Sequence, residues 1–215
     1  MDFAIAATYL PQLLQALGMS VIITVLGFAI GMILGLPLAL AKAGKNPVAN
    51  WASRVYIEVF RNTPLLVQLY LFYFGLGQLG INLNPFTSAL IGLTFNNAAY
   101  AAEIFRAGLE SVPIGLREAA AVLGLSRTQT LLHVVLKPAV RNVLPSLTNQ
   151  FIVLFLFSSV ASVISLNELT NEVNQLVSQT QLTIELFTIA AAMYYVVSAI
   201  LAGLSRLAER TLFRW

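Results

Sequence analysis

Leu17 to Ala41 reads LGMSVIITVLGFAIGMILGLPLALA, 25 residues without a single charge. A helix needs about 20 predominantly apolar residues, at 1.5 Å each, to cross a hydrocarbon layer. This stretch is long enough, and its glycines and Pro37 are tolerated where helices pack closely in lipid. Four more uncharged runs follow. They give expected spans at 17–41, 63–81, 86–105, 143–166 and 186–205, of which the third carries Glu103 near its end. The expected fold is an all-α membrane protein with five transmembrane helices in one domain, 1–215.

The composition agrees with lipid as the solvent. The chain has 215 residues, 58% hydrophobic and 10% charged, with mean hydropathy +0.82. A soluble domain carries about 25% charge. There is no cysteine and one histidine, His133, so no thiol chemistry and no metal centre is expected. The opening residues Met1-Asp2-Phe3 lack the basic start of a cleaved signal peptide.

Five crossings put the two ends on opposite sides, and basic residues identify the cytoplasmic one. Lys42, Lys45, Arg54, Arg61, Arg106, Arg117, Arg127, Lys137, Arg141, Arg206, Arg210 and Arg214 all fall on one side. Asp2, Glu168, Glu172 and Glu185 fall on the other. The expected N-terminus is external and the C-terminus cytoplasmic. The pI near 9.4 is then a signature of topology, not of nucleic-acid binding.

The polar segment 106–142 is the largest loop. Pro113 suits a first helical turn, Gly124 a left-handed helix end, and Ser126 the cap of a helix starting at Arg127. The expectation is two short amphipathic helices joined by a glycine turn. They either rest on lipid headgroups or dock a cytoplasmic partner.

Within this loop, Glu118-Ala119-Ala120, three residues, Gly124, nine residues, Val134 and then Leu136 resemble the EAA motif of ABC-importer permeases. Other stretches resemble the polar amino acid branch of that family, the histidine, glutamine and arginine type. They are Arg61-Asn62-Thr63-Pro64-Leu65-Leu66-Val67-Gln68, then Ala98 to Gly108, then Pro145-Ser146-Leu147-Thr148-Asn149. The likeness covers almost the whole chain. It implies a type I ABC importer permease fold and a multi-pass protein of the bacterial inner membrane. It also implies ATP-driven amino acid uptake, a cytoplasmic ABC ATPase dimer, a second permease and an external substrate-binding protein.

Glu118, Ala119, Ala120, Gly124 and Leu125 are then the residues that couple to the ATPase. No Gly-x-x-x-x-Gly-Lys-Ser/Thr run is present, so ATP and Mg belong to the ATPase and this chain binds no cofactor itself. Two departures stand out. Lys137 precedes Pro138 where Leu-Pro is usual, with a helix start expected at Pro138. Leu156 and Phe157 replace a frequent Lys-Asp pair. The second departure favours a different chain as the partner permease, one that supplies the charged contacts.

Asn96 and Asn97, midway along the third span, and Ser158 and Ser159, midway along the fourth, are candidates for the substrate path at a shared depth. Packing hydrogen bonds between helices are the alternative. Gln68, Tyr70 and Tyr73 are weaker candidates. Glu103 with Arg106, and Glu58 with Arg61, are candidate gates or simple i, i+3 ion pairs. A membrane enzyme would need convergent acids, bases or nucleophiles that the spans lack. A passive channel or membrane assembly subunit is the remaining alternative.

Overall fold

The computed structural model describes residues 2–212. Arg214 of the basic group lies outside them, as do the side chains of Arg117, Arg127 and Arg210. The described residues are almost all helical. In chain order they form α1 (Phe3–Ala7), α2 (Leu10–Ala43), α3 (Pro47–Asn62), α4 (Leu65–Gln78), α5 (Pro85–Glu110), α6 (Ile114–Val122), α7 (127–164), α8 (Leu169–Thr180) and α9 (Thr183–Leu212). Leu10–Ala43, Thr130–Ile164 and Thr183–Leu207 are long and apolar enough to cross a bilayer unaided.

The core is the pair α2 and α5, which run parallel and close together. Gly27, Gly31 and Gly35 recur every four residues along one face of α2, and opposite them stand Leu93, Asn97 and Ala101 of α5. A Cβ added at Gly31 would sit 2.5 Å from Asn97 Nδ2, and one at Gly35 would sit 2.7 Å from the Ala101 Cβ. Small residues let the two backbones approach this closely. α7 returns antiparallel against α5, and α9 packs on α7 through Phe155 with Tyr194 and Thr148 with Ser205.

The second expected span departs most from 63–81. Its helix is Leu65–Gln78, and Thr63 and Pro64 before it are extended. Pro64 lacks an N–H and disfavours helix in Thr63, which accounts for the break. Before the break comes α3, started by Asn46, whose side chain accepts from the N–H groups of Val48 and Ala49, and by Pro47. α3 begins beside Lys42 at the end of α2, where Asn50 donates to the Lys42 carbonyl. It ends against the middle of α5, where the Phe60 ring meets that of Phe95 at 5.7 Å. Thus α3 and α4 follow one another along α5 as two pieces with a gap at mid-height.

The loop expected at 106–142 also differs. α5 continues to Glu110, and only α6 is a separate short helix. The second expected helix is the first part of α7 and runs on without interruption to Ile164. Pro138 therefore starts no helix. It lies inside one, directly after a π-helical stretch at Thr130–Val135, a local widening that accommodates irregular backbone bonding.

At the other end, Glu168 is fully buried and joins three elements. It caps α8 by accepting from Asn171 N–H at 2.8 Å. It also accepts from Tyr194 of α9 at 2.9 Å and Ser20 of α2 at 3.3 Å. A buried carboxylate persists only with such a donor set.

Candidate functional site: a short capped helix and a charged face

α6 is short because its stop signals are local. Gly124 adopts φ +74°, a left-handed conformation that glycine enters without a Cβ penalty. Its N–H donates to the Ala121 carbonyl, and Leu125 N–H reaches the Ala120 carbonyl, which closes the helix as a Schellman motif. Ser126 and Gln129 then open α7 with a reciprocal capping box. Gln129 N–H donates to Ser126 Oγ at 3.3 Å, and Ser126 N–H donates to Gln129 Oε1 at 2.9 Å.

α6 keeps one buried contact, Ala120, while Glu118 and Ala119 are exposed. Its apolar residues are exposed too: Ile114 is 74% accessible and Val122 89%. Apolar surface exposed to this extent marks a contact with a partner or with lipid. Leu125 turns inward to a hollow shared with Leu109, Val112, Leu131 and Val135.

Above α6, Glu103 collects three cations. Lys42 Nζ donates to it at 2.5 Å, Arg106 binds it at 3.0 Å and 3.2 Å, and Arg61 Nη1 stands 3.9 Å away. Arg106 also reaches Glu110 at 2.5 Å. These two carboxylates hold the Arg106 guanidinium even further above its ordinary pKa, chiefly through the hydrogen bond to Glu103. The Glu103–Arg106 pair thus forms as the spacing suggests. Arg61 pairs differently: it turns from Glu58 toward Glu103 and lies 5.2 Å from the centre of the Tyr100 ring.

The candidate path residues do not come together. Asn97 is fully buried between helices, donating to the Phe28 carbonyl of α2 and accepting from Gln150 of α7, both at 3.2 Å. Asn96 faces the other way. Its amide donates to the Phe60 carbonyl at 3.2 Å and to Gln68 Oε1 at 3.4 Å, and its own Oδ1 is buried without a protein donor. Ser158 and Ser159 lie eight and nine residues beyond Gln150, about 12 Å along α7. Each binds a carbonyl of its own helix, Phe155 and Leu156. Asn97 and Gln150 are therefore packing hydrogen bonds between helices. Gln150 went unnoticed in the sequence because nothing local marks it. Gln68 has a further role: its Nε2 closes the gap between α3 and α4 by donating to the carbonyls of Phe60 and Thr63, both at 3.0 Å.

A helical membrane protein with a short, exposed, capped helix beneath a charged cluster has the build of the membrane component of a transport system. The chain belongs to the family of binding-protein-dependent transport system inner membrane components, whose model matches residues 27–214. It is similar to the arginine transport system permease protein ArtQ of Bacillus subtilis, 35% identical over 99% of this chain and 97% of that one. It is equally similar to the glutamine transport system permease protein GlnP of Escherichia coli, 35% identical over 94% of this chain and 93% of that one. A solved structure of an amino acid ABC transporter with histidines superposes with TM-score 0.94 at 38% identity, covering 98% of both chains. The MetNI methionine ABC transporter shares the fold, with TM-score 0.70 at 19% identity over 91% of both chains.

Proposed function

We propose that this chain is the transmembrane permease subunit of an ATP-driven amino acid importer, coupled through α6 to a cytoplasmic ATPase. The observation that carries the reading is α6 itself. It is a rigidly capped helix with Glu118, Ala119, Ile114 and Val122 exposed, on the end of the molecule that gathers Lys42, Arg61 and Arg106. Glu118 supplies a carboxylate to donors on the ATPase, and the alanines give a slim face that fits a groove. ATP and Mg belong to that subunit. An external binding protein delivers the amino acid to the opposite end.

A second permease completes the path, and we propose that it is a different chain. Leu156 and Phe157, at the position where relatives often carry Lys-Asp, are 43% and 37% accessible and bring no charge to the paired surface. An amino acid entering a low-dielectric site needs countercharges that a neutral surface leaves unmet.

The test is reconstitution in proteoliposomes with the ATPase and the binding protein. Uptake of labelled L-arginine, L-glutamine or L-histidine should require ATP and the binding protein. Uptake of these probes down a gradient without ATP points instead to a channel and sinks the reading. Full activity with this chain as the only permease species in the purified complex sinks the heteromeric part alone.

A further inference from the structure

The gap between α3 and α4 leaves a polar face at a depth where polar side chains do not face lipid. The Phe60 carbonyl is fixed by Asn96, the twelfth residue of the 26-residue α5. At 1.5 Å per residue α5 is about 39 Å long, so Asn96 lies near its middle. Arg61, Asn62 and Thr63 follow directly and are all exposed. From that depth the Arg61 guanidinium turns back along α5 to Tyr100 and Glu103, toward the basic end. A charged group on the membrane-facing length of a helix points to the protein interior or a water-filled cavity. Broken helices at mid-depth are likewise tolerated where they line a cavity. This side of the subunit therefore lines the path.

The charges on that face do not balance. Lys42, Arg61 and Arg106 meet only Glu103 and Glu110. Lys42 and Arg106 take the close contacts. Arg61 is left at 3.9 Å from Glu103, beyond hydrogen-bond distance, with its side chain 42% accessible. Among the described residues it makes no hydrogen bond, and the Tyr100 ring holds it in place. A guanidinium held over an aromatic ring, with its donor fork open, matches a carboxylate.

We infer that Arg61 anchors the α-carboxylate of the amino acid in transit, with Tyr100 and Glu103 as the groups that position its guanidinium. The inference rests on the permease reading above.

The test compares the whole reconstituted complex carrying Arg61→Gln, Arg61→Lys, Glu103→Gln and the Arg61→Gln/Glu103→Gln double variant. Losing one charge-assisted contact should lower uptake of L-arginine, L-glutamine and L-histidine by roughly tenfold or more in Arg61→Gln. The ATPase subunits should still co-purify, and Arg61→Lys should recover part of the loss. Binding is then measured on the purified permease–ATPase complex without binding protein, each amino acid against its α-amide. Wild type should prefer the acid, and Arg61→Gln should bind acid and amide alike. A merely structural role, balancing the charge of Glu103, predicts full rescue in the double variant. That rescue, or an acid preference unchanged in Arg61→Gln, or no binding of any probe to wild type, overturns the inference. ATP-driven uptake by the wild-type complex judges the permease reading separately.

Discussion

Asn97 shows how one polar residue is shared among helices. Its amide spans from the Phe28 carbonyl in α2 to Gln150 in α7, and the absence of a side chain at Gly31 makes room for it. Gly31→Val should push Asn97 out of register and overpack the α2–α5 contact. The expected loss is about 1–3 kcal/mol, read as a lower midpoint of thermal unfolding in detergent. Gly18→Ala on the same helix meets nothing within 4 Å and should leave that midpoint unchanged. Equal midpoints for Gly31→Val and wild type would contradict the close approach.

At the scale of elements, α6 depends on its stop. Gly124→Val places a β-branched side chain at φ +74°, where such residues are rare and strained. Glu118→Lys leaves the helix intact, because Glu118 is exposed, but reverses the charge that α6 offers. Both variants should insert in the membrane, and both should lower ATPase co-purification or uncouple hydrolysis from uptake. Normal transport by Glu118→Lys would remove α6 from the coupling path. α6 was legible in the sequence because Pro113, Gly124 and the Ser126–Gln129 box act within a few residues of one another. The first and last apolar runs were legible because hydropathy alone sets them. The two pieces α3 and α4 were not, since what closes their gap is Gln68 bonding the carbonyls of Phe60 and Thr63, with Asn96 of another helix alongside. Asn96 and Asn97 were visible as polar residues at mid-span, but their opposite orientations follow from packing. The distance of Ser158 from Asn97 follows from the register of α7 against α5, which places Gln150 opposite Asn97.

Across the whole molecule the charges separate along α2. Ser20, in its N-terminal half, holds the buried Glu168, and beyond it the Asp2 N–H donates to Glu185 at 2.9 Å. Lys42 at the other end joins the Glu103 cluster, 22 residues and about 33 Å away. α6 lies with the basic end and α8 with the acidic one. Basic residues are retained in the cytoplasm, so α6 should be internal and α8 external. The absence of cysteine gives a clean test. Gly115→Cys, in α6 and open to solvent, and Gln175→Cys, on the exposed face of α8, are made singly. Spheroplasts are treated with a membrane-impermeant maleimide before and after permeabilisation. Gln175→Cys should label at once, and Gly115→Cys only after the membrane is opened. Labelling of Gly115→Cys in sealed spheroplasts, with Gln175→Cys protected, would invert the chain in the membrane. The coupling helix would then face away from the ATPase, and the transport reading would fall with it.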